Sequence, residues 1–421
     1  MKMPKLIGPI FQTLTLDKLP IKGALKDDQL EIIEKAGILI EDGKIFKVGN
    51  WEKLRKEFPK AEIFELTGEF VAIPGLVDCH THGCFGGSRA KDFAMRNAGK
   101  TYLEIAEAGG GIWDTVSETR KHTIEELATI TAKHANRHLS DGVTTIEVKS
   151  GYGLSVNEEL KILRAIHAAK KYTSAELIPT CLAAHTKPKD FSGSNIDYLK
   201  LISEELFPIL KDERLCNRID AFVEKSAFSP EEINPYFQKA KDLGFDLTVH
   251  ADQFSVGGSK VAVAFGARSA DHLEASGKKE ISLLAQSDCI SVALPGASIG
   301  LGNGFSPARE LLDQGAALAI ASDWNPGSAP MGDLLTQVAV LATFEKLSTA
   351  EVFAGITFRA AAALGLSDRG KLVTGALADL ILFPTSDYRE ILYHQGKMKP
   401  VEVWKLGSKD VLTSDQNYQK G

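Results

Sequence analysis

Apolar and polar positions alternate along both ends of the chain, and between those ends short apolar runs alternate with amphipathic stretches. Residues 36–40 and 45–49 read as the two strands of a hairpin with Asp42-Gly43 at its tip, a pair that tolerates the backbone a tight turn needs. At the other end, residues 370–373, 378–383 and 401–407 read as strands. Neither end offers enough strands for a stable core alone, so both are expected to pair into one small sheet domain, built from residues 1–66 and 370–421.

The middle of the chain has a different rhythm. Eight apolar runs of strand length occupy residues 71–77, 144–149, 176–185, 219–225, 246–252, 267–274, 289–295 and 316–324. Amphipathic segments at 125–138, 157–171, 230–243 and 332–346 lie between successive strands or after the last, as parallel βα units require. The expected fold class is α/β, a (β/α)8 barrel over residues 67–369 whose strand ends meet at one mouth. The run Gly109-Gly110-Gly111 is short and reads as a bend rather than a phosphate cradle.

Composition changes this picture only at its edges. A chain of 421 residues, 44% hydrophobic and 25% charged, suits a large globular barrel with a smaller partner and argues against disorder. A net charge of -6 without a basic run argues against a nucleic-acid surface. Cys79, Cys84, Cys181, Cys216 and Cys289 are odd in number and lack CxxC spacing, which fits a reducing cytoplasm. The lysine-containing start lacks the continuous apolar core of a signal peptide, and no apolar stretch reaches the ~18 residues of a membrane span.

The candidate chemistry sits where the predicted strands end. The opening run leads into Asp78-Cys79-His80-Thr81-His82, and two histidines one residue apart on an extended backbone point to the same side. Such a pair alone is a weak signal, but the other strands repeat it, ending in His250-Ala251-Asp252, Asp271-His272 and Ser322-Asp323. A barrel brings these ends together. His80, His82, His250 and Asp323 are therefore the expected ligands of zinc or iron, with an open position for water. Such a metal lowers the pKa of its water and polarises a carbonyl, so the expected reaction is hydrolysis, with Asp323 also able to take the water's proton.

With PGLVDCHTH at residues 74–82, His250, His272 and Asp323 on the page, the chain resembles the amidohydrolase superfamily, metal hydrolases on a distorted barrel with a flanking β-sandwich. Within it, the chain is similar to the imidazolonepropionase family. Phe85-Gly86-Gly87-Ser88-Arg89, Ala98-Gly99-Lys100-Thr101-Tyr102, Ala108 through Ile112, Glu147 through Leu154, Ala184-His185 and Ser322 through Ser328 carry that similarity.

The resemblance implies one Zn2+ or Fe3+ ion per chain, 4-imidazolone-5-propanoate as substrate, N-formimidoyl-L-glutamate as product, and a homodimer. For such a substrate Arg89 is expected to bind the carboxylate tail. Tyr152 and His185 are expected to donate to the ring or its carbonyl, and His185 or His272 to stabilise the oxyanion. The family also points to Gln253, Asn325, Gly327 and Ser328, and more weakly to Tyr102. An acid is expected close after the strand-five histidine, so Asp252 and Gln253 compete for one role. The metal residues alone would also serve an aminohydrolase acting on a heterocyclic amine, or survive in a non-catalytic assembly protein. Arg89 and the loop from Ser150 to Leu154 favour the cyclic amide, and retention of all four ligands favours an enzyme.

Overall fold

The computed structural model of the chain describes residues 3–410, apart from the side chains of Tyr102, Leu103 and Ala106. Eight parallel strands follow one another in chain order: Leu76–Asp78, Val143–Lys149, Glu176–Ala184, Arg218–Val223, Asp246–Ala251, Ser269–His272, Ile290–Ala293 and Leu318–Ile320. A parallel bridge between Thr81 and Trp324 closes the first strand onto the last. On either side of it the His82 N–H donates to the Trp324 carbonyl (2.9 Å) and the Asp323 N–H to the His80 carbonyl (3.0 Å). Closure thus sets the histidine pair beside the aspartate, although the whole barrel lies between them in sequence.

The second sheet, also of eight strands, comes from both chain ends, and Val71–Pro74 lies in it between Lys5–Leu14 and Leu380–Phe383. Its hairpin pairs Ile32–Glu41 with Lys44–Asn50, and Asp42 and Gly43 at the tip take φ of 47° and 77°, the left-handed turn that matches strand twist.

Two expectations need correction. The apolar run 71–77 is not one strand: it divides at Gly75, and only Leu76–Asp78 belongs to the barrel. Gly75 donates its N–H to the Asp379 carbonyl, and a Cβ there would fall 2.4 Å from Thr144 Oγ1, so the two sheets meet too closely for any side chain. Both halves are buried, which is why hydrophobicity shows no break. Residues 370–373 form no strand, because Gly370 turns through φ 79° against the backbone of Phe358.

The expected helices are present as Ile124–Ser140, Val156–Ala169, Pro230–Asp242 and Leu334–Glu345. Thr123, Ser155, Ser229 and Asp333 cap their N-termini by accepting a backbone N–H. Apolar faces of these helices and the barrel strands make the main core, while Ile38, Ile40, Leu380, Leu382 and Trp404 make a second one in the end sheet. The barrel also buries charge: Glu147, Lys149, Asp220 and Asp271 are all fully enclosed. No helix among the described residues is long and apolar enough to cross a membrane. The five cysteines are free and buried.

Candidate metal centre and substrate site

His80 and His82 leave the first strand on one side, and each Nε2 points at the end of the last strand. Asp323 Oδ1 lies 3.5 Å from His80 Nε2 and 3.4 Å from His82 Nε2. His250 Nε2 lies 3.3 Å from His82 Nε2, and one ring nitrogen from each of the three histidines falls within 4.8 Å of the others. All four residues are buried.

The outer nitrogens explain what the inner ones offer. His80 Nδ1 is 2.6 Å from Asp271 Oδ2, and His250 Nδ1 is 3.0 Å from Asp220 Oδ2. Asp271 accepts the His80 Nδ1 proton and Asp220 sets its negative charge beside His250 Nδ1, so both favour the tautomer with the proton on Nδ1 and a lone pair on Nε2. Lone pairs and a carboxylate oxygen therefore converge on one point, an arrangement that only a proton or a cation can reconcile. Burial disfavours the proton, holding His82 and His250 down at about 3. The cluster fits a metal ion.

Lys149 ties the two orienting carboxylates into the barrel. Its Nζ is 2.8 Å from both Glu147 and Asp220, and 3.9 Å from Asp271. Burial opposes its charge, but Asp220, Glu147 and Asp271 outweigh burial and raise its pKa. Burial pushes the Asp271 carboxyl up to about 7, whereas in Asp220 the pull of His250 and Lys149 overcomes burial and keeps it below the usual carboxylate range.

Strand ends carry strain here. Asp252, His272, Leu273 and Asp323 all take positive φ (52°, 86°, 72° and 50°), rare for residues with side chains and common where function dictates backbone direction. His272 sits with its ring centroid 5.3 Å from that of His250 and its Nδ1 3.5 Å from Glu274 Oε1. Burial works against its charge, but Glu274 outweighs it and raises the imidazole. Asp323 is raised above the usual carboxylate value by burial.

Tyr152 and His185 flank this cluster, and Arg89 lies beside Gly327 of the loop that follows Asp323. Arg89 donates from Nε to Asp92, and a Cβ on Gly327 would fall 3.1 Å from its Nη1. The Asp92 carboxylate also accepts the Gly111 N–H (2.8 Å), and a Cβ on Gly110 would fall 2.3 Å from it. The triple-glycine bend therefore wraps a carboxylate of the protein itself. Tyr152 is buried with its ring centroid 5.9 Å from that of His82, on a loop whose Gly151, Gly153 and Leu154 N–H groups all donate to Glu159 (3.0, 2.8 and 2.7 Å). His185 stacks on His82 at 5.4 Å and donates from Nδ1 to the Gly151 carbonyl (3.1 Å). Burial holds it at about 3, so the ring is neutral, with its proton on Nδ1 and a lone pair at Nε2.

Asp252 is enclosed and braces its own loop, accepting from Gly257 N–H (2.9 Å), Ser259 N–H (3.2 Å) and Ser276 Oγ (2.8 Å). Gln253, next to it, is only half-buried. Asn325 closes the last loop: its Oδ1 accepts from the Gly327 and Ser328 N–H groups (2.8 Å each) and its Nδ2 donates to the Asp323 carbonyl (2.7 Å). Tyr102 opens a short helix, Tyr102–Glu107, and its side chain lies outside the described ones. A cavity of about 260 Å³ opens on the Arg89 side, lined among others by Phe85, Arg89, Phe93, Trp324 and Pro326.

Residues 71–409 match the amidohydrolase family. The chain is 39% identical to the imidazolonepropionase of Bdellovibrio bacteriovorus over 96% of both chains. It is 37% identical to that of Bacillus cytotoxicus over 99% of this chain and 98% of the other. The chain belongs to the imidazolonepropionases of the amidohydrolase family. Their wider fold is seen in zinc-complexed atrazine chlorohydrolase from Arthrobacter aurescens (TM-score 0.74, 19% identity, covering 96% of this chain and 94% of that one). An adenosine deaminase from Xanthomonas campestris with bound zinc is similar too (TM-score 0.70, 18% identity, covering 97% and 93%).

Several groups in this imidazolonepropionase-family site escaped sequence reasoning. Asp220, Asp271 and Asp92 face the predicted residues His250, His80 and Arg89, while Lys149, paired with Glu147, braces Asp220, and Glu159 braces the loop backbone beside Tyr152. A signal existed for some: Glu147 and Lys149 alternate around Val148 at the end of a strand, and period-two alternation puts both on one face. Cys79 and Cys84 are buried small side chains; burial pushes the Cys84 thiol up to about 12 and the Cys79 thiol well above its ordinary value, so neither offers a thiolate. Glu224, just past the strand Arg218–Val223, accepts from the Phe254 and Ser255 N–H groups (3.0 Å each).

Proposed function

We infer that this protein opens the ring amide bond of 4-imidazolone-5-propanoate by hydrolysis, giving N-formimidoyl-L-glutamate. The observation that carries the reading is kinship with imidazolonepropionases over nearly the whole chain. His80, His82, His250 and Asp323 would hold one zinc or iron ion, which when bound acts as a Lewis acid and makes water a nucleophile near neutral pH.

The chain's own residues supply the rest. Asp323, lifted by burial, takes the proton of the attacking water. Arg89 binds the propanoate tail, with its guanidinium oriented by Asp92. His185 Nε2 accepts a ring N–H, Tyr152 donates its hydroxyl to the ring or its carbonyl, and Gln253 rather than Asp252 faces the substrate. As water oxygen bonds to the carbonyl carbon, His272, held towards its cationic form by Glu274, stabilises the developing oxyanion. The carbon–nitrogen bond then breaks, Asp323 returns the proton to the departing nitrogen, and the new carboxylate is the α-carboxylate of the product. Five free, buried thiols support a reducing, cytoplasmic setting.

The test is loss of substrate ultraviolet absorbance with purified protein, beside a chelated sample. Turnover that vanishes on chelation and returns with one equivalent of metal is expected. No turnover by metal-loaded protein would remove the substrate assignment, and two equivalents of bound metal would remove the single-ion site.

A further inference from the structure

The charge around the expected tail-binding arginine does not add up with Arg89 alone. Arg89 already donates to Asp92, whose carboxylate is nearly enclosed and cradled by the glycine bend, so that pair is close to neutral. A second guanidinium lies beside it. Arg96 follows two turns later, at the end of the helix Ala90–Asn97 that Arg89 caps, and this spacing returns it to the same helix face.

Arg96 makes no ion pair among the described residues. Its Nη2 reaches the Gly327 carbonyl at a long 3.5 Å, and its Nε is buried without a partner. Gly327 is also the residue whose missing side chain leaves Arg89 Nη1 its space, so both guanidiniums meet at one backbone position of the loop that follows Asp323. Burial, and then the neighbouring Arg89, lower Arg96 from its ordinary value, and the pull of Asp92, already paired with Arg89, does not make up for them. Arg89, Arg96 and Asp92 together leave one uncompensated positive charge, which matches a monoanion.

We propose that Arg96 is a second tail-binding residue, which with Arg89 makes a two-guanidinium clamp for the substrate carboxylate. The proposal rests on the reading of the substrate as an imidazolone bearing a carboxylate tail. In it, Asp92 and the Gly110-Gly111 bend orient Arg89, and Arg96 brings the net charge that makes the site prefer an acid over its neutral analogue.

The test uses metal-loaded protein and two probes whose ring lacks the reactive carbonyl: 3-(imidazol-4-yl)propanoate and its primary amide. Affinities are measured by calorimetry for the native protein, Arg96→Gln, Arg96→Met and Arg96→Lys, with melting temperature and metal content as folding controls. Native protein should prefer the acid at least 100-fold. The Gln and Met variants should lose 10-fold or more of that preference while binding the amide as before, and Lys should restore part of it. In turnover, the loss should fall in KM rather than kcat. An unchanged acid-to-amide ratio in folded Arg96→Gln, or no preference in the native protein, overturns the clamp. If the native protein prefers the acid through Arg96 yet turns over no imidazolone propanoate, the clamp stands and the substrate assignment falls.

Discussion

Asp220 and Asp271 show how much of this site lies one bond away from the metal residues. Each lies against Nδ1 of a histidine whose Nε2 faces the cluster, and each is fully enclosed. Removing such a partner loosens ring orientation and lowers ligand basicity, so Asp271→Asn should weaken metal binding by about 10–100-fold in a chelator competition. Asp220→Asn should do the same and also leave the buried Lys149 short of a counter-ion, destabilising the fold by about 3–5 kcal/mol in denaturant titration. Equal stability losses in the two variants would show that Lys149 does not depend on Asp220.

Among the elements, the two loops proposed to bind substrate are each held by an enclosed carboxylate. Glu159, in the helix Val156–Ala169, gathers three backbone N–H groups of the loop bearing Tyr152. Glu159→Ala should cost about 3 kcal/mol or more, since charge-assisted bonds contribute roughly 1.5–3 kcal/mol each, and should depress kcat/KM through a displaced Tyr152. Full activity with normal stability would mean that the loop holds itself. Asp92 does the equivalent for Arg89. Gly110→Ala would press a methyl group onto that carboxylate, so KM should rise by about 10-fold or more with metal content unchanged, the signature of lost ground-state binding.

At the scale of the whole molecule, burial of the imidazole cluster links stability to pH. His82, His185 and His250 lie at about 3 in the folded protein against an ordinary value of 6.5. Between those values the unfolded chain binds protons that the folded chain does not, so stability rises with pH across the interval. The contribution is complete above about pH 6.5 and is lost as pH falls towards 3. His80, lowered well below its ordinary value by burial, adds to the three, whereas His272, raised by Glu274, and the carboxyls of Asp271, Glu147, Glu159 and Asp323, raised by burial, have the opposite sign and offset part of the imidazole contribution. The melting temperature of metal-free protein should therefore fall steadily from pH 7 to pH 4 in calorimetry, and a flat profile would contradict the enclosed, neutral cluster.

Periodicity along the chain was enough to place the eight barrel strands, though not where the first begins, and four of the helices around them, because a buried parallel strand must be an apolar run and its crossover helix must be amphipathic. Strand-end residue type was enough to nominate His80, His82, His250 and Asp323. The division of residues 71–77 between two sheets was invisible, since both halves are buried alike and only the approach of Thr144 to Gly75 reveals the break. That Asp252 braces its own loop was equally closed to sequence, for it turns on a left-handed backbone and on the N–H groups of Gly257 and Ser259. Asp92, Glu159, Asp220 and Asp271 were legible as acids and nothing more. A carboxylate becomes an orienting group only through the nitrogen it faces, and tertiary structure alone supplies that nitrogen across a barrel.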